Sequence, residues 1–245
     1  MSFKFDMYLD DASAPHFAAL ATHLSSLAIP ERGDGFICGQ ICGIDYARHQ
    51  DSYHYLASFS LAASAVPAGH YRSVIIAAPG YEPASGKAPR CAINHYGSFS
   101  GDYALHDWWE EQGRAPLDNV QLTGAHRASL LAVAKGEADI AAIDEVSFHL
   151  AAYAIPELAE ALNIIDYTPA RPGLPFLCAA SYGAQKAAIR DHLLAFAKTD
   201  AFTALSELLG LSQMDVIDDD AFAGLASIAD RVDAKRLQDV SRQAP

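Results

Sequence analysis

TGAHRASLLAVAKGEADIAAID (123–144) packs a strand end, a helix and a second strand into one short stretch. Thr123-Gly124 closes the first strand. His126 opens a helix with apolar residues at helical spacing, and Gly136 ends it, since glycine adopts the left-handed backbone that helix ends favour. DIAAID (139–144) is then an apolar run with an acid at its end, as expected of a strand buried on both faces. Strand–helix–strand succession at this spacing points to a sheet with helices packed across it.

The same alternation runs outward in both directions. RCAIN (90–94) reads as a strand followed by a helix over GDYALHDWWEEQG (101–113). NVQLT (119–123) and NIIDY (163–167) are further strands, and EVSFHLAAYA (145–154) a helix. Upstream, FKFDMYL (3–9), GFICGQIC (35–42), YLASFSL (55–61) and HYRSVIIAA (70–78) read as strands, with a helix opened by Ser13 and Pro15. Downstream, PFLCAAS (175–181) is a strand. Two or three helices follow from Ala184 to about Leu237, and SRQAP (241–245) is expected to fray. The predicted class is α/β, with mixed and mostly parallel sheets.

Two turn-rich connectors, PGYEPASGKAP (79–89) and TPARPGLP (168–175), bracket the middle of the chain. They predict a discontinuous first lobe (1–80 plus 172–245) and an inserted second lobe (85–167). Ligands of such architectures sit in the cleft between lobes, at the carboxyl ends of strands, and the connectors are the expected hinges.

Composition removes several classes of function. The 245 residues are 51% hydrophobic and carry 30 acidic against 17 basic side chains, a net charge of −13. Nucleic acid and anionic membrane surfaces attract basic proteins, so neither is an expected partner. A small anion remains possible, because it answers to local dipoles. No run is long and apolar enough to insert in a membrane. The leading MSFKFDMYLDD lacks signal-peptide character. The expected location is therefore periplasmic if a signal has been removed, and cytoplasmic if the chain begins as given. Cys38, Cys42, Cys91 and Cys178 form no CxxC pair and lie in apolar stretches, which predicts buried free thiols.

Several chemistries fail on spacing. GSFSG (97–101) places Phe99 where a nucleophile elbow needs Ser. GYEPASGKA (80–88) has one residue too many for a phosphate loop, and Ala88 where Mg²⁺ needs a hydroxyl. GQICG (39–43) lacks the upstream His of caspase-type proteases. The ten histidines form no HxH or HExxH set, so neither metal nor cofactor is expected.

An anion cradle survives these tests. Strand 90–94 runs into a Gly-Ser turn and then a helix, whose first amides lack internal partners and whose dipole is positive there. Ser98 and Ser100 add hydroxyls, while Gly97 and Gly101 let an oxyanion approach. The plainer reading is that Ser100 is an N-cap, His126 a surface group and Asp144 a cap of the next helix. Against it stands coincidence: Ser98, Ser100, His126 and Asp144 all fall at carboxyl ends of successive βα units, hence on one sheet edge. Gln40 and Tyr71 lie at strand ends of the other lobe.

With these residues assembled, the chain resembles the phosphate/phosphonate substrate-binding proteins of ABC transporters, of the two-lobed type II periplasmic binding protein fold. HYRSVIIAA, AINHYGSFSG, TGAHRASLLAVAKGEADIAAID and TPARPGLPFL carry the resemblance, over about residues 30–180. It implies that Ser98 and Ser100 hold phosphoryl oxygens, with Phe99 contributing its amide, next to Gly101. It implies that His126 donates to the same oxyanion and that Asp144 meets an amine on aminophosphonates. Tyr71 matches a hinge-strand aromatic and Gln40 a ligand-facing turn of the first lobe. His95 and Tyr96 stand where an Asp-Pro pair is common.

The function so implied is non-enzymatic capture of a small oxyanion (phosphate, a phosphonate or a related phosphoryl compound) by inter-lobe closure, with an ABC transporter permease as partner. Two alternatives stand beside it. One is the same fold binding a carboxylate, amino acid or pyrimidine-like ligand as a sensor. The other is an enzyme using His126 and Asp144 as acid–base residues.

Overall fold

In the computed structural model the described residues are 2–33, 35–63, 65–83 and 88–243. The chain divides into two compact units, residues 1–71 with 170–222, and 72–169 with 223–245.

The first unit is built on a five-stranded sheet in the order β1 (Phe3–Lys4), β2 (Cys38–Gln40), β11 (Pro175–Ala179), β3 (Tyr53–Leu61), β12 (Leu211–Asp215). Helices α1 (Ala14–Ser25), α7 (Lys186–Phe196) and α8 (Asp200–Leu209) belong to it, with a short α2 (Gly43–Arg48). Phe5, Phe17, Phe59, Phe176, Phe196 and Phe202 form a chain of ring contacts in its core. Strand β12 was not foreseen. LSQMD (211–215) alternates only weakly, and its place is set by antiparallel pairing with β3.

The second unit carries the sheet β7 (Val120–Leu122), β6 (Cys91–Ile93), β8 (Ile140–Asp144), β5 (Ser73–Ala77), β9 (Asn163–Tyr167). Alternate residues feed opposite faces, as the pleat requires. Val74, Ile76, Ala92, Ala141 and Ile143 pack with Leu130 and Val133 of α4 (His126–Ala134) and Ala151 of α5 (Glu145–Ala154). Ile75, Ala77, Cys91, Ile93, Ile140 and Ala142 pack with Leu105, Trp108 and Trp109 of α3 (Ala104–Glu111). Burial on both faces explains why DIAAID is almost wholly apolar. A short α6 (Pro156–Glu160) follows α5, and α9 (Ala223–Gln243) closes the unit.

The sheets are mixed. Strands β7, β6 and β8 pair in parallel, whereas β5 runs antiparallel to both β8 and β9. In the first unit only β1 and β2 pair in parallel among the described strands, and β11 is antiparallel to its neighbours. The parallel character expected of alternating strands and helices is thus strongest around β6.

The division also differs from the expected one. The chain leaves the first unit between Tyr71 and Arg72, inside the continuous run HYRSVIIAA, which is split into β4 (His70–Tyr71) and β5. The connector at 79–89 lies within the second unit, and its residues 84–87 are outside those described. The return crossing falls at 169/170, where β10 (Arg171–Pro172) pairs antiparallel with β4. A third crossing at 222/223 sends α9 to the second unit, where ion pairs to α3 hold it. Turn-forming composition marked loops, not crossings, because a β-rich run can pass from one sheet to another without a breaker. Helix α9 runs to Gln243, so the first three residues of SRQAP are helical rather than frayed, and Ala244 and Pro245 lie outside the described residues. No disulfide joins the cysteines. Cys38, Cys91 and Cys178 are buried, but Cys42 is half-buried at the start of α2, where its strand has ended.

Candidate functional site

Four strands of the second unit, β6, β7, β8 and β9, run in one direction, so their carboxyl ends share an edge with the start of β5. At that edge β6 gives way to Asn94 and a loop, then to a π-helical turn over Phe99–Tyr103 that continues into α3. Gly97 has φ of +83°, a conformation that glycine alone adopts cheaply. The cap is Ser98 rather than the expected Ser100. Its Oγ accepts the Gly101 N–H at 3.3 Å, and its carbonyl accepts from Asp102 and Tyr103.

Ser100 is thereby released for another partner. Its hydroxyl lies 3.0 Å from His126 Nε2, a contact from the first residue of α4 back to the turn after β6. Burial, with a smaller contribution from His95, pushes His126 down to about 4, so the ring is neutral at pH 7. A neutral imidazole carries one N–H. If Nε2 holds it, Ser100 keeps its own hydrogen to donate elsewhere. If Nδ1 holds it, that donor is buried without a partner. Either tautomer leaves this pair one spare hydrogen-bond donor.

Gly101 packs against both neighbours. A Cβ there would stand 2.1 Å from Asn94 Oδ1 and 3.1 Å from His126 Cε1. Asn94 is 8% exposed, and its Oδ1 has no hydrogen-bond partner. Asn94 was not anticipated. It stands in the quoted turn, but an Asn at a strand end reads as ordinary turn chemistry. Phe99 is buried, its ring in the interior, so the turn offers its backbone there.

Asp144 ends β8 and caps α5. Its Oδ1 accepts from Val146 N at 2.8 Å and Ser147 N at 3.1 Å. Across the ladder it faces Ser73, whose hydroxyl donates to the Ser100 carbonyl at 2.9 Å. Ser73 N donates to Thr168 Oγ1 at 2.9 Å, tying β5 to the residue after β9. Arg72 forms a two-pronged ion pair with the buried Glu145, Nε to Oε2 at 2.7 Å, and stacks 3.7 Å above the Tyr167 ring. Ser98, Phe99, Ser100, Gly101, His126 and Asp144 thus share one edge of one unit. Gln40 and Tyr71 belong to the other unit. Gln40 is fully buried in β2 with both side-chain amide atoms unpartnered, and Tyr71 lies in β4, paired with Arg171. Among the described residues no group of three or more His, Cys, Asp or Glu side chains is placed to hold a metal ion.

Residues 39–222 match the model of a family described as ABC transporter, phosphonate, periplasmic substrate-binding protein. The chain belongs to that family. Its members bind substrates for ABC transporters and are not enzymes, which sets aside the acid–base reading of His126 and Asp144. Solved structures share the fold at low identity. PhnD1 from Prochlorococcus marinus, in complex with methylphosphonate, has a TM-score of 0.71 at 12% identity, over 94% of this chain and 97% of that one. A binding protein component of an ABC phosphonate transporter from Pseudomonas aeruginosa has 0.70 at 16%, over 95% and 87%. The periplasmic aliphatic sulphonate binding protein SsuA from Escherichia coli has 0.60 at 15%, over 96% and 86%. A search of curated proteins found no match. Among the described residues no helix is long and apolar enough to cross a membrane.

Proposed function

We propose that this member of the phosphonate-binding family captures a small phosphonate, or a related phosphoryl oxyanion such as phosphate, and delivers it to an ABC transporter permease. The observation that carries the reading is the Ser100–His126 contact, which leaves a spare donor beside an anion-favouring turn. The turn's other resources fit. Gly101, Asp102 and Tyr103 amides are met by Ser98, so the Phe99 and Ser100 amides remain for a ligand. Hydrogen bonds from several donors to one ionised oxygen are the strong kind. The Prochlorococcus neighbour holds methylphosphonate, in keeping with this ligand class.

Closure of the two units over the ligand, with Gln40 and Tyr71 supplied by the first unit, is part of the proposal. Gln40 supports it, because a buried amide without partners is costly unless something else satisfies it. Asp144 is proposed to favour a ligand amine through its charge while Oδ1 serves the α5 cap.

The test is calorimetry with methylphosphonate, 2-aminoethylphosphonate, phosphite, phosphate and sulfate. Phosphoryl compounds should bind and sulfate should bind least. Binding of none of the phosphoryl compounds would sink the reading.

A further inference from the structure

The turn that carries Ser98 and Ser100 also carries a carboxylate. Asp102 follows Gly101 and is fully buried. Its Oδ2 accepts the Gly97 N–H at 2.9 Å, which fixes the left-handed residue at the start of the turn. Arg236 of α9 grips both carboxylate oxygens, with one nitrogen on Oδ1 and the other 3.1 Å from Oδ2. His106 Nε2 of α3 lies 3.7 Å from Oδ1. Burial and Arg236 push that imidazole down to about 4, so it brings no charge at neutral pH.

Neighbouring contacts hold α9 in register. Tyr103 donates to Asp233 at 2.9 Å, and Asp233 also receives Arg236 at 3.4 Å. Arg231 pairs with Asp107, and Lys235 with Glu110. Helix α9 lies beyond the 39–222 segment that the family model matches.

A carboxylate beneath an anion-binding turn poses an electrostatic problem. Like charges in a poorly solvated site repel strongly. Asp102 is useful because it holds Gly97, and it is tolerable only if its charge is cancelled. Among the described residues Arg236 is the cation that grips it.

We propose that Arg236 is a positioning residue for anion binding. Its guanidinium neutralises Asp102, so the carboxylate can hold the 97–101 turn without repelling the ligand. The inference rests on the reading that this turn receives the phosphonate.

The test compares wild type, Arg236→Met, Asp102→Asn and the double variant, each verified as folded by circular dichroism. Methylphosphonate affinity, read by calorimetry, should fall at least about tenfold in Arg236→Met, as expected when a buried charge loses its partner. Asp102→Asn in the same chain should restore it to within about threefold, because Asn still accepts from Gly97 and carries no charge. The loss should be larger at about pH 8.5 than at about pH 6, since the ligand's second ionisation lies between them. A packing defect would be indifferent to ligand charge, and the wild type run at each pH cancels other titrating groups. Unchanged affinity in Arg236→Met, or a loss that Asp102→Asn does not repair, overturns the proposal. Amide exchange without ligand gives an independent reading: Gly97 and Gly101 should exchange faster in Arg236→Met. A wild type that binds no phosphoryl compound would sink the phosphonate reading alone. Equal protection at both glycines would overturn the positioning role whatever the ligand.

Discussion

The Asn94 carboxamide oxygen fills the space that a side chain on residue 101 would need, 2.1 Å from the position of its first carbon. Gly101 is therefore required for contact rather than for backbone freedom. Gly101→Ala must push Asn94 or the turn aside. Overpacking of this kind costs about 1–3 kcal/mol, measurable by urea denaturation. Ligand affinity should fall as well, because His126 is the next residue the methyl group meets, its Cε1 at 3.1 Å.

Ser98 and Ser100 should differ in their effect on binding. Ser98 is the cap, so Ser98→Ala should cost about 1 kcal/mol of stability. Ser100→Ala leaves His126 Nε2 without its partner, so it too should cost about 1–3 kcal/mol of stability. Its loss should also appear in calorimetry, where a hydrogen bond to a charged ligand is worth about 1.5–3 kcal/mol, or roughly 10- to 100-fold in affinity.

Acid should weaken the second unit before carboxylates titrate. His126 and His106 each sit at about 4, below the 6.5 of a free imidazole. Between those values the unfolded chain binds more protons than the folded one, so stability is present above pH 6.5 and is lost as pH falls towards 4. At 1.36 kcal/mol per pH unit, each imidazole contributes up to about 3 kcal/mol to this slope. Chemical denaturation at pH 7.5, 6, 5 and 4 measures it. Replacing either His with Gln should flatten the profile, and an unaltered slope in both variants would refute the assignment.

Asp144→Asn keeps an oxygen acceptor for Val146 and Ser147, so stability should change little. The charge is gone, however. If Asp144 meets a ligand amine, 2-aminoethylphosphonate should lose affinity while methylphosphonate keeps it. Equal losses for both would confine Asp144 to its helix cap.

The order of strands and helices was legible because apolar runs such as DIAAID and RCAIN are buried on both faces, and helix starts carry recognisable residues. The shared edge of Ser98, Ser100, His126 and Asp144 was legible from the same order, since parallel strands end together. Other features were not. The crossing at Tyr71/Arg72 lies inside a run of uniform β propensity, so nothing local marks it. Strand β12 owes its existence to the partner β3. Arg236 stands more than a hundred residues from Asp102, in a polar helix whose sequence resembles any solvated surface helix. Asn94 is invisible for a different reason: its importance comes from the glycine it touches.

The crossing at 222/223 has a consequence for the order of events at the ribosome. Helix α9 is translated after every other element of its own unit, yet its Arg236 meets the carboxylate within the serine turn. Domains tend to fold as their chain emerges. Here residues 72–169 emerge with Asp102 still uncompensated, and residues 170–222 of the first unit and then α9 as far as Arg236 must follow before the turn acquires its counter-charge. Nascent chains stalled before Arg236 would thus present the serines and the histidine with a bare carboxylate beneath them. On the proposed role of Arg236, ligand competence waits for that residue and is not reached when the sheet that bears the turn is complete.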